Sequence, residues 1–437
     1  MNWLVLLALS VVGLVPVTYL LVNAYLSRRR ERVARVHPSS TRDVTIVIPV
    51  HAESIERFRS ALRSACRQGS RVIVVGDGCD EPYRSLTRLE GSEFVALSNR
   101  GGKKRALAAG LAHVTTPFVL FLDSDTTLPD GAVTRLLSYF APEVGGVGAN
   151  LLHEESDSIA AGCAEFVERA REVVLRAMSS RGNVLYLDGA CMMFRTELIR
   201  SFVASEEFLH LHVLGRETPL GDDWQLTDHV LNQGFRTVKA YDVGAVTRPP
   251  GNLGAFVRQN VRWMRSSWIR LGRYLRGAGP SAPGFFYRVE LLGTYALPLV
   301  TFALVIARFP LFVHLLEGVV SRAYLATSHG LYLAHFAARP FSWAHLFLPV
   351  QTAVGLVGAG AFLGAVADRL PPHRRLRTLA CGVLGSSLLL LTAVYGLVTV
   401  WRASAWRSGP SPEAPRGQDA TGSGGGGFAA GTAFWRR

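Results

Sequence analysis

Two kinds of hydrophobic pattern divide this chain. At its ends are long uncharged stretches. Trp3 to Leu26 is one. Leu291 to Leu316, interrupted by Arg308, Leu346 to Ala367, and Leu376 to Trp401 beyond Arg377 are the others. Each is long enough for a helix to cross the roughly 30 Å hydrocarbon core of a bilayer. From Val44 the pattern changes to short apolar runs separated by helical spacing. Val44 to Pro49, Arg71 to Val75, Phe94 to Leu97, Phe118 to Leu122 and Val184 to Leu187 read as strands. Ile55 to Arg67, Lys103 to His113 and the stretch from Ser158 to about Ser179 read as helices. Strands alternating with short helices predict a largely parallel sheet, in which ligands bind beyond the carboxyl ends of the strands.

Charge refines this picture. Arg28, Arg29, Arg30 and Arg32 follow the first apolar stretch directly. A secretion signal carries its positive charge ahead of the apolar run, so the stretch reads as an anchor with the following domain in the cytoplasm. The basic segment Asp368 to Arg375 places the junction of the last two apolar runs on the same side. Val319 to His345, with Arg322, His329 and Arg339, reads as an extracytoplasmic or interfacial loop. Asn252 to Leu275 interleaves Trp263 and Trp268 with five arginines, the pattern of a helix lying in a membrane interface. Past Arg407 the Gly/Ser/Pro-rich composition predicts a disordered tail. The organisation is therefore an anchor over 1–30, a cytosolic α/β domain over 40–250, an amphipathic helix over 251–280, membrane or interfacial helices over 288–402 and a tail over 408–437.

At 49% hydrophobic and 18% charged, the 437 residues are apolar for a chain in water. The net charge of +14 lies beside the apolar runs, and no nucleic-acid-binding motif accompanies it, so nucleic acid is set aside as a partner. The five cysteines form no Cys-x-x-Cys pair, which argues against a disulfide framework or a zinc site.

Several strand ends carry chemistry. Phe118 to Leu122 ends in Asp123-Ser124-Asp125, and period-2 geometry lets both carboxylates point the same way. Hard divalent cations take such oxygen ligands and share them with phosphates. By itself the pair is better explained as a turn with a helix N-cap before Pro129. Glu53 and Asp77 stand at two other strand ends. Asn99 to Arg105 is a glycine turn into a cation-rich helix start, a place where backbone N–H groups favour a diphosphate. The Gly189-Ala190 turn would let a substrate come close, although a core strand with a tight turn explains it equally well. Gly221-Asp222-Asp223 opens a helix, and two adjacent carboxylates exceed what a cap needs, so one suits a general base. Gln259-x-x-Arg262-Trp263 places an amide, a guanidinium and an indole on neighbouring turns.

The order Asp77, Lys103, Asp123-x-Asp125, Gly189-Ala190, Gly221-Asp222-Asp223 and Gln259-x-x-Arg262-Trp263, flanked by membrane stretches, resembles the processive membrane-embedded family 2 glycosyltransferases. Leu122 to Thr126, Gly221 to Thr227 and Gln259 to Ser266 are most similar to the hyaluronan and chitin synthases of that group. The resemblance implies a GT-A type α/β domain with a mostly parallel sheet, joined to transmembrane helices. It implies a multi-pass plasma-membrane enzyme with a cytoplasmic catalytic domain. Its donors would be UDP-sugars, UDP-GlcNAc with UDP-GlcA as a second, and its product an exported polysaccharide. Within it Asp77 would contact uracil and Lys103 the diphosphate or base. Asp123 and Asp125, chiefly Asp125, would bind Mg²⁺ or Mn²⁺. Asp223, beside Asp222, would be the general base. Gln259, Arg262 and Trp263 would meet the acceptor terminus and the diphosphate. Where hyaluronan synthases have a gating segment, this chain has Ala405-Trp406-Arg407-Ser408-Gly409. By family analogy Leu376 to Trp401 would lie at the interface, whereas hydropathy alone makes it a span. A UDP-GlcNAc-only synthase, a lipid-linked transferase adding one sugar, and a transporter or scaffold with a degenerate nucleotide fold are the other readings.

Overall fold

A computed structural model describes residues 3–29, 34–280, 284–328 and 343–405. After α1 (Trp3–Leu26) the order is β1 (Val44–Val50), α2 (Ile55–Cys66), β2 (Arg71–Asp77), α3 (Tyr83–Leu89), β3 (Glu93–Leu97), α4 (Lys103–Ala112), β4 (Phe118–Leu122) and α5 (Ala132–Leu137). Then follow β5 (Val144–His153), α6 (Ile159–Ser179), β6 (Cys191–Arg195), α7 (Thr196–Val203), α8 (Glu206–Leu209), the small pair β7 (His212–Val213) and β8 (Arg216–Glu217), α9 (Asp222–Asn232), β9 (Arg236–Thr247) and α10 (Leu253–Leu275). The helices α11 (Gly284–Ser328), Trp343–Ala367 and Arg375–Val398 complete the described chain.

Seven strands form one sheet in the order β3-β2-β1-β4-β6-β5-β9. β1 is central and buried on both faces, which is why it reads as a continuous apolar run rather than an alternating one. Pro49 has no N–H to donate, and it sits where β4 has already left the ladder at Val47. All neighbouring pairs are parallel except β4 with β6 and β5 with β6. The sheet is thus mostly parallel, as expected, and the inversion matters for function. Running β6 backwards along β4 pairs Cys191 with Leu122, so the turn preceding β6 abuts the loop that follows β4.

Two expectations change. Val184 to Leu187 is not a strand. Val184, Leu185 and Leu187 are fully buried, but Val184 donates its N–H to the Thr237 carbonyl (3.1 Å) and Leu187 to the Thr227 hydroxyl (3.1 Å). The apolar run marks burial in an irregular segment, and the strand begins four residues later, at Cys191. Likewise Val319 to Ser328, expected as loop, continues α11. Arginine is a good helix former, so Arg322 lowers hydropathy without ending the helix. Trp343 to His345, the end of that expected loop, begin the next helix, while residues 329–342, Trp406 and the predicted tail lie outside the described residues.

Helices α10 and α11 are pinned to the α/β domain by a buried ion pair. Arg270 on α10 bonds both Asp228 oxygens (2.5 and 3.2 Å), the Leu185 carbonyl (2.6 Å) and the hydroxyls of Tyr287 (2.7 Å) and Tyr295 (3.2 Å) on α11. Arg270 and Trp268 are therefore interior residues, although the membrane-interface pattern had counted both.

The helix Arg375–Val398 runs along α6 and α10. Near its start Arg377 pairs with Asp157, and Gly382 lies so close to the Phe166 ring that an added Cβ would be 2.4 Å from it. Near its end Trp268 donates to the Ala393 carbonyl (2.9 Å) and Arg265 to the Thr399 hydroxyl (3.2 Å). Ala403 then packs beside Trp224 and Leu220. The start of this helix thus touches the α/β domain, its end touches α10, and the turn that follows it reaches α9. Among the residues whose side chains are described, Pro372–Val398 is the one helix long and apolar enough to cross a bilayer, and the corresponding parts of α1 and of the helix Trp343–Ala367, Gly13–Leu26 and Ala353–Ala367, are shorter apolar stretches. α1 packs on α11 through Asn23 to Glu290 (3.0 Å) and Tyr19 to Thr294 (3.2 Å).

Removing one partner of a buried pair strands the other charge. Asp228→Ala is expected to cost about 3–5 kcal/mol, the range for breaking such a pair, and to lower the thermal midpoint of the detergent-solubilised chain. A midpoint equal to wild type would show that Arg270 finds other compensation.

Candidate active site

All twelve residues singled out in the sequence line one cavity of about 1460 Å³ beyond the carboxyl ends of the central strands. They are Glu53, Asp77, Lys103, Asp123, Asp125, Gly189, Ala190, Asp222, Asp223, Gln259, Arg262 and Trp263.

Asp77 ends β2 and is spent on the protein itself. Its Oδ1 accepts the Gly101 and Gly102 N–H groups (2.6 and 3.1 Å), and its Oδ2 accepts Gly102 again (2.9 Å). The backbone donors expected to hold a diphosphate at the start of α4 are therefore already bonded to a carboxylate. What the glycine turn presents to the cavity is the next residue, Lys103. Its ammonium reaches Asp123 Oδ1 (2.6 Å), Asp222 Oδ2 (3.2 Å) and the Gly189 carbonyl (3.1 Å). Burial opposes its charge, but the two carboxylates more than compensate and hold its pKa above the usual lysine range. One cation thus joins three segments distant in sequence.

The β6 inversion supplies the fourth side. The Asp123 N–H donates to the Ala190 carbonyl (3.0 Å), so the Gly189-Ala190 turn lies against the Asp-x-Asp corner. Glu53 accepts the Ser54 N–H (2.8 Å) and faces the same corner. Burial, and then the charge of Glu53, push the Asp125 carboxyl up. Among the described residues no three His, Cys, Asp or Glu side chains gather as a self-sufficient metal cage. Two carboxylates fit a hard cation that completes its shell with water and substrate phosphate, and such a cation would relieve the crowding of negative charge around Asp125.

Asp222 and Asp223 begin α9 and are set apart electrically. Gly221 turns the chain into the helix with φ +89°, and an added Cβ would sit 2.4 Å from Trp224 Nε1. Trp224 in turn donates to Ser266 on α10 (3.0 Å), which locks the two helices together. Burial works against the charge on Asp222, but Lys103 and Lys104 hold its carboxyl below the ordinary range. Asp223 is pushed up to about 6 by burial and by the neighbouring Asp222 charge, and its Oδ1 accepts the Trp224 N–H (2.8 Å). Two adjacent carboxyls pushed apart in this way can divide the labour, one pairing with lysine and the other accepting a proton.

Three further polar residues escaped sequence reading. Asp188 accepts Arg171 (2.8 Å) and Lys239 in the interior below Gly189. Arg171 lies on α6, where acids and bases at i, i+3 and i+4 look like an ordinary solvated face. The available signal was that Glu168, Arg169 and Glu172 occupy the apolar stripe of that helix, and all three are buried.

A GT-A-like α/β domain with its site at the strand ends is the class these features define. The model of "glycosyltransferase like family 2" matches residues 41–266, just over half of the chain, and the chain belongs to that family. An N-acetylglucosaminyltransferase of Azorhizobium caulinodans is 32% identical over 245 residues, which cover 52% of this chain and 59% of that protein. One of Sinorhizobium fredii is 28% identical over 247 residues, 52% of this chain and 57% of that protein. Hyaluronan synthase 3 of Xenopus laevis is 26% identical over 290 residues, 56% of this chain and 52% of that protein. The chain thus spans less than two thirds of the length of these relatives. A solved mannosyltransferase from Pyrobaculum calidifontis, in complex with GDP-Man and Mn²⁺, shares the fold, with a TM-score of 0.54 and 18% identity over 89% of this chain and 99% of that one.

A general base works when ionised, so with Asp223 in that role transfer would fall as pH drops through about 6. Replacing Asp222 by Asn removes the like charge that raises Asp223, so the acid limb of kcat/KM should move to lower pH. A limb that stays fixed or moves upward would exclude Asp223 as the titrating group.

Proposed function

We propose that this chain is a processive, inverting glycosyltransferase that polymerises sugar from UDP-sugar donors and passes the polysaccharide across the plasma membrane. The observation that carries this reading is the continuity of the cavity. It begins at Asp123 and Asp125, passes Asp223 and Trp263, and continues between Tyr19, Thr294 and Ser386 on helices outside the α/β domain. A transporter or scaffold would not need the Asp123, Asp125 and Asp223 set.

In this reading the donor diphosphate lies at the Asp123/Asp125 corner with Lys103 beside it. Mg²⁺ or Mn²⁺ held by Asp123 and Asp125 would neutralise the charge that builds on departing UDP. Asp223 takes the proton of the acceptor hydroxyl as its oxygen forms the new bond to the anomeric carbon and the bond to UDP breaks. One base and one stabilised leaving group suffice for inversion, unlike glycoside hydrolysis, which uses a second carboxylic acid. Gln259, Arg262 and Trp263 hold the acceptor terminus and the diphosphate, with the indole as a flat face for a sugar ring. Asp77 acts on the nucleotide end by fixing the Gly101-Gly102 turn.

The multi-pass arrangement is part of the proposal. α1, α11 and the helix Trp343–Ala367 cross the bilayer with the α/β domain on the cytoplasmic face. The helix Arg375–Val398 lies at the interface, supported by its contacts with the α/β domain at its start and with α10 at its end, and by the exposed Leu376, Val383, Leu391 and Val398. A hyaluronan-type product is the first assignment and a chitin-like product from UDP-GlcNAc alone the alternative. The N-acetylglucosaminyltransferase relatives favour UDP-GlcNAc as a donor in either case. A second reading, transfer of one sugar to a lipid-linked acceptor, draws on the apolar lining of the far half of the cavity by Leu20, Leu297, Pro298, Phe362 and Leu363.

Asp223→Asn should lower transfer by about 10²- to 10⁴-fold, the usual contribution of a general base, while the Kd for UDP stays near wild type. A parallel loss of UDP affinity would remove the general-base role. Membranes supplied with UDP-GlcNAc, alone and with UDP-GlcA, should yield polymer that disappears in EDTA and returns with Mn²⁺. Polymer from UDP-GlcNAc alone selects the chitin-like product, a requirement for both selects hyaluronan, and a single sugar on lipid would overturn processive synthesis.

A further inference from the structure

Arg171 occupies an unusual position for an arginine on a long helix. It projects from α6 into the cavity with 23% of its side chain exposed. Three of its donors are fixed, one by its own helix and two by the segment that precedes β6: Nη1 to Glu168 Oε2, Nε to the Tyr186 hydroxyl, and Nη2 to Asp188 Oδ1, each at 2.8 Å. Bonds in three directions allow the planar group little freedom of orientation. The guanidinium carbon also lies 5.2 Å from the centre of the Tyr186 ring and 5.2 Å from that of Trp263. Both are within cation–π range.

We propose that Arg171 is a positioning residue, the rigid backing of an acceptor-sugar subsite. It holds the Trp263 indole from one side and leaves the opposite ring face for the terminal sugar of a growing glycan. This inference rests on the glycosyl-transfer reading above and deepens it by naming what fixes the acceptor end.

The chemistry favours that role over a plain ion pair. Asp188 is already paired with Lys239, so its charge does not require Arg171. Lysine could neutralise Glu168 equally well but has no planar fork that bonds three separate acceptors while sitting over an indole. The residue after Asp188 is Gly189, whose carbonyl accepts Lys103, and Ala190 accepts the N–H of Asp123. Arg171 therefore ties the acceptor surface on α10 to the same turn that borders the donor corner. A sugar stacked on Trp263 is thereby held in register with Asp123 and Asp223.

The test uses the full chain in detergent, with chitotetraose as the saccharide probe and UDP as the donor-side probe. Calorimetry gives both Kd values, and thermal unfolding is followed alongside. Arg171→Lys should weaken chitotetraose roughly fivefold to tenfold, the scale of one partly exposed cation–π contact, and leave UDP within about twofold. Tyr186→Phe, which removes one tether and keeps the ring, should weaken chitotetraose less, in the same direction. In a Trp263→Leu background Arg171→Lys should have no further effect on chitotetraose. Chitotetraose affinity unmoved by Arg171→Lys, equal losses for UDP and chitotetraose, or no binding of chitotetraose by wild type would each overturn the subsite. Arg171-dependent binding in a chain that transfers no sugar would instead overturn the transfer reading and keep the subsite.

Discussion

One ammonium group holds the site together. Lys103 reaches a carboxylate after β4, a carboxylate at the start of α9 and a carbonyl in the turn before β6. Without a cation there, Asp123, Asp222 and Asp223 would bring three negative charges into a buried corner, at a cost that neutralisation by protonation would otherwise relieve. With it, the Asp222 carboxyl is held below the ordinary range while burial and the Asp222 charge push the Asp223 carboxyl up. The arrangement needs the glycine turn to be rigid, and Asp77 supplies that rigidity by accepting its N–H groups. The strand ends are therefore not independent ligand positions. They form one electrostatic unit whose parts set each other's charge.

The same logic ties the α/β domain to the helices beyond it. Arg270 is buried and would be prohibitively costly unpaired, so Asp228, two tyrosine hydroxyls and a backbone carbonyl converge on it. This fixes α10, and with it Gln259, Arg262 and Trp263, against α9 and its two aspartates. On the other face small residues, among them Gly382 against Phe166, let the helix Arg375–Val398 lie close along α6. The cavity is then bounded by the α/β domain on one side and by apolar helices on the other.

Much of this was legible in the sequence because it rests on local rules. Central parallel strands are buried on both faces, and so Val44 to Pro49 and Phe118 to Leu122 stand out as apolar runs. Helices such as α4 and α6 carry their period in the spacing of apolar residues. The errors arose where hydropathy stood in for backbone conformation. Val184 to Leu187 is apolar because it is buried, yet with one backbone bond to Thr237 and one to a threonine hydroxyl it forms no strand of the sheet. Val319 to Ser328 is less apolar but remains helical. Arg171 stayed hidden because a charged residue on an amphipathic helix looks solvated until its neighbours in space are known.

The chain by itself determined the kinds of residue at the strand ends, the mostly parallel sheet and the separation of an α/β domain from long apolar stretches, because each of these is written in short-range pattern. Only the tertiary structure decided what those residues do to one another. The backward course of β6 brings Ala190 to Asp123, and the reach of one lysine side chain joins Asp123 to Asp222. The distances that set charge and hydrogen bonding run between segments tens to more than a hundred residues apart, where periodicity carries no information. Coulomb and desolvation energies depend on those distances and on burial, and neither exists until the chain has folded.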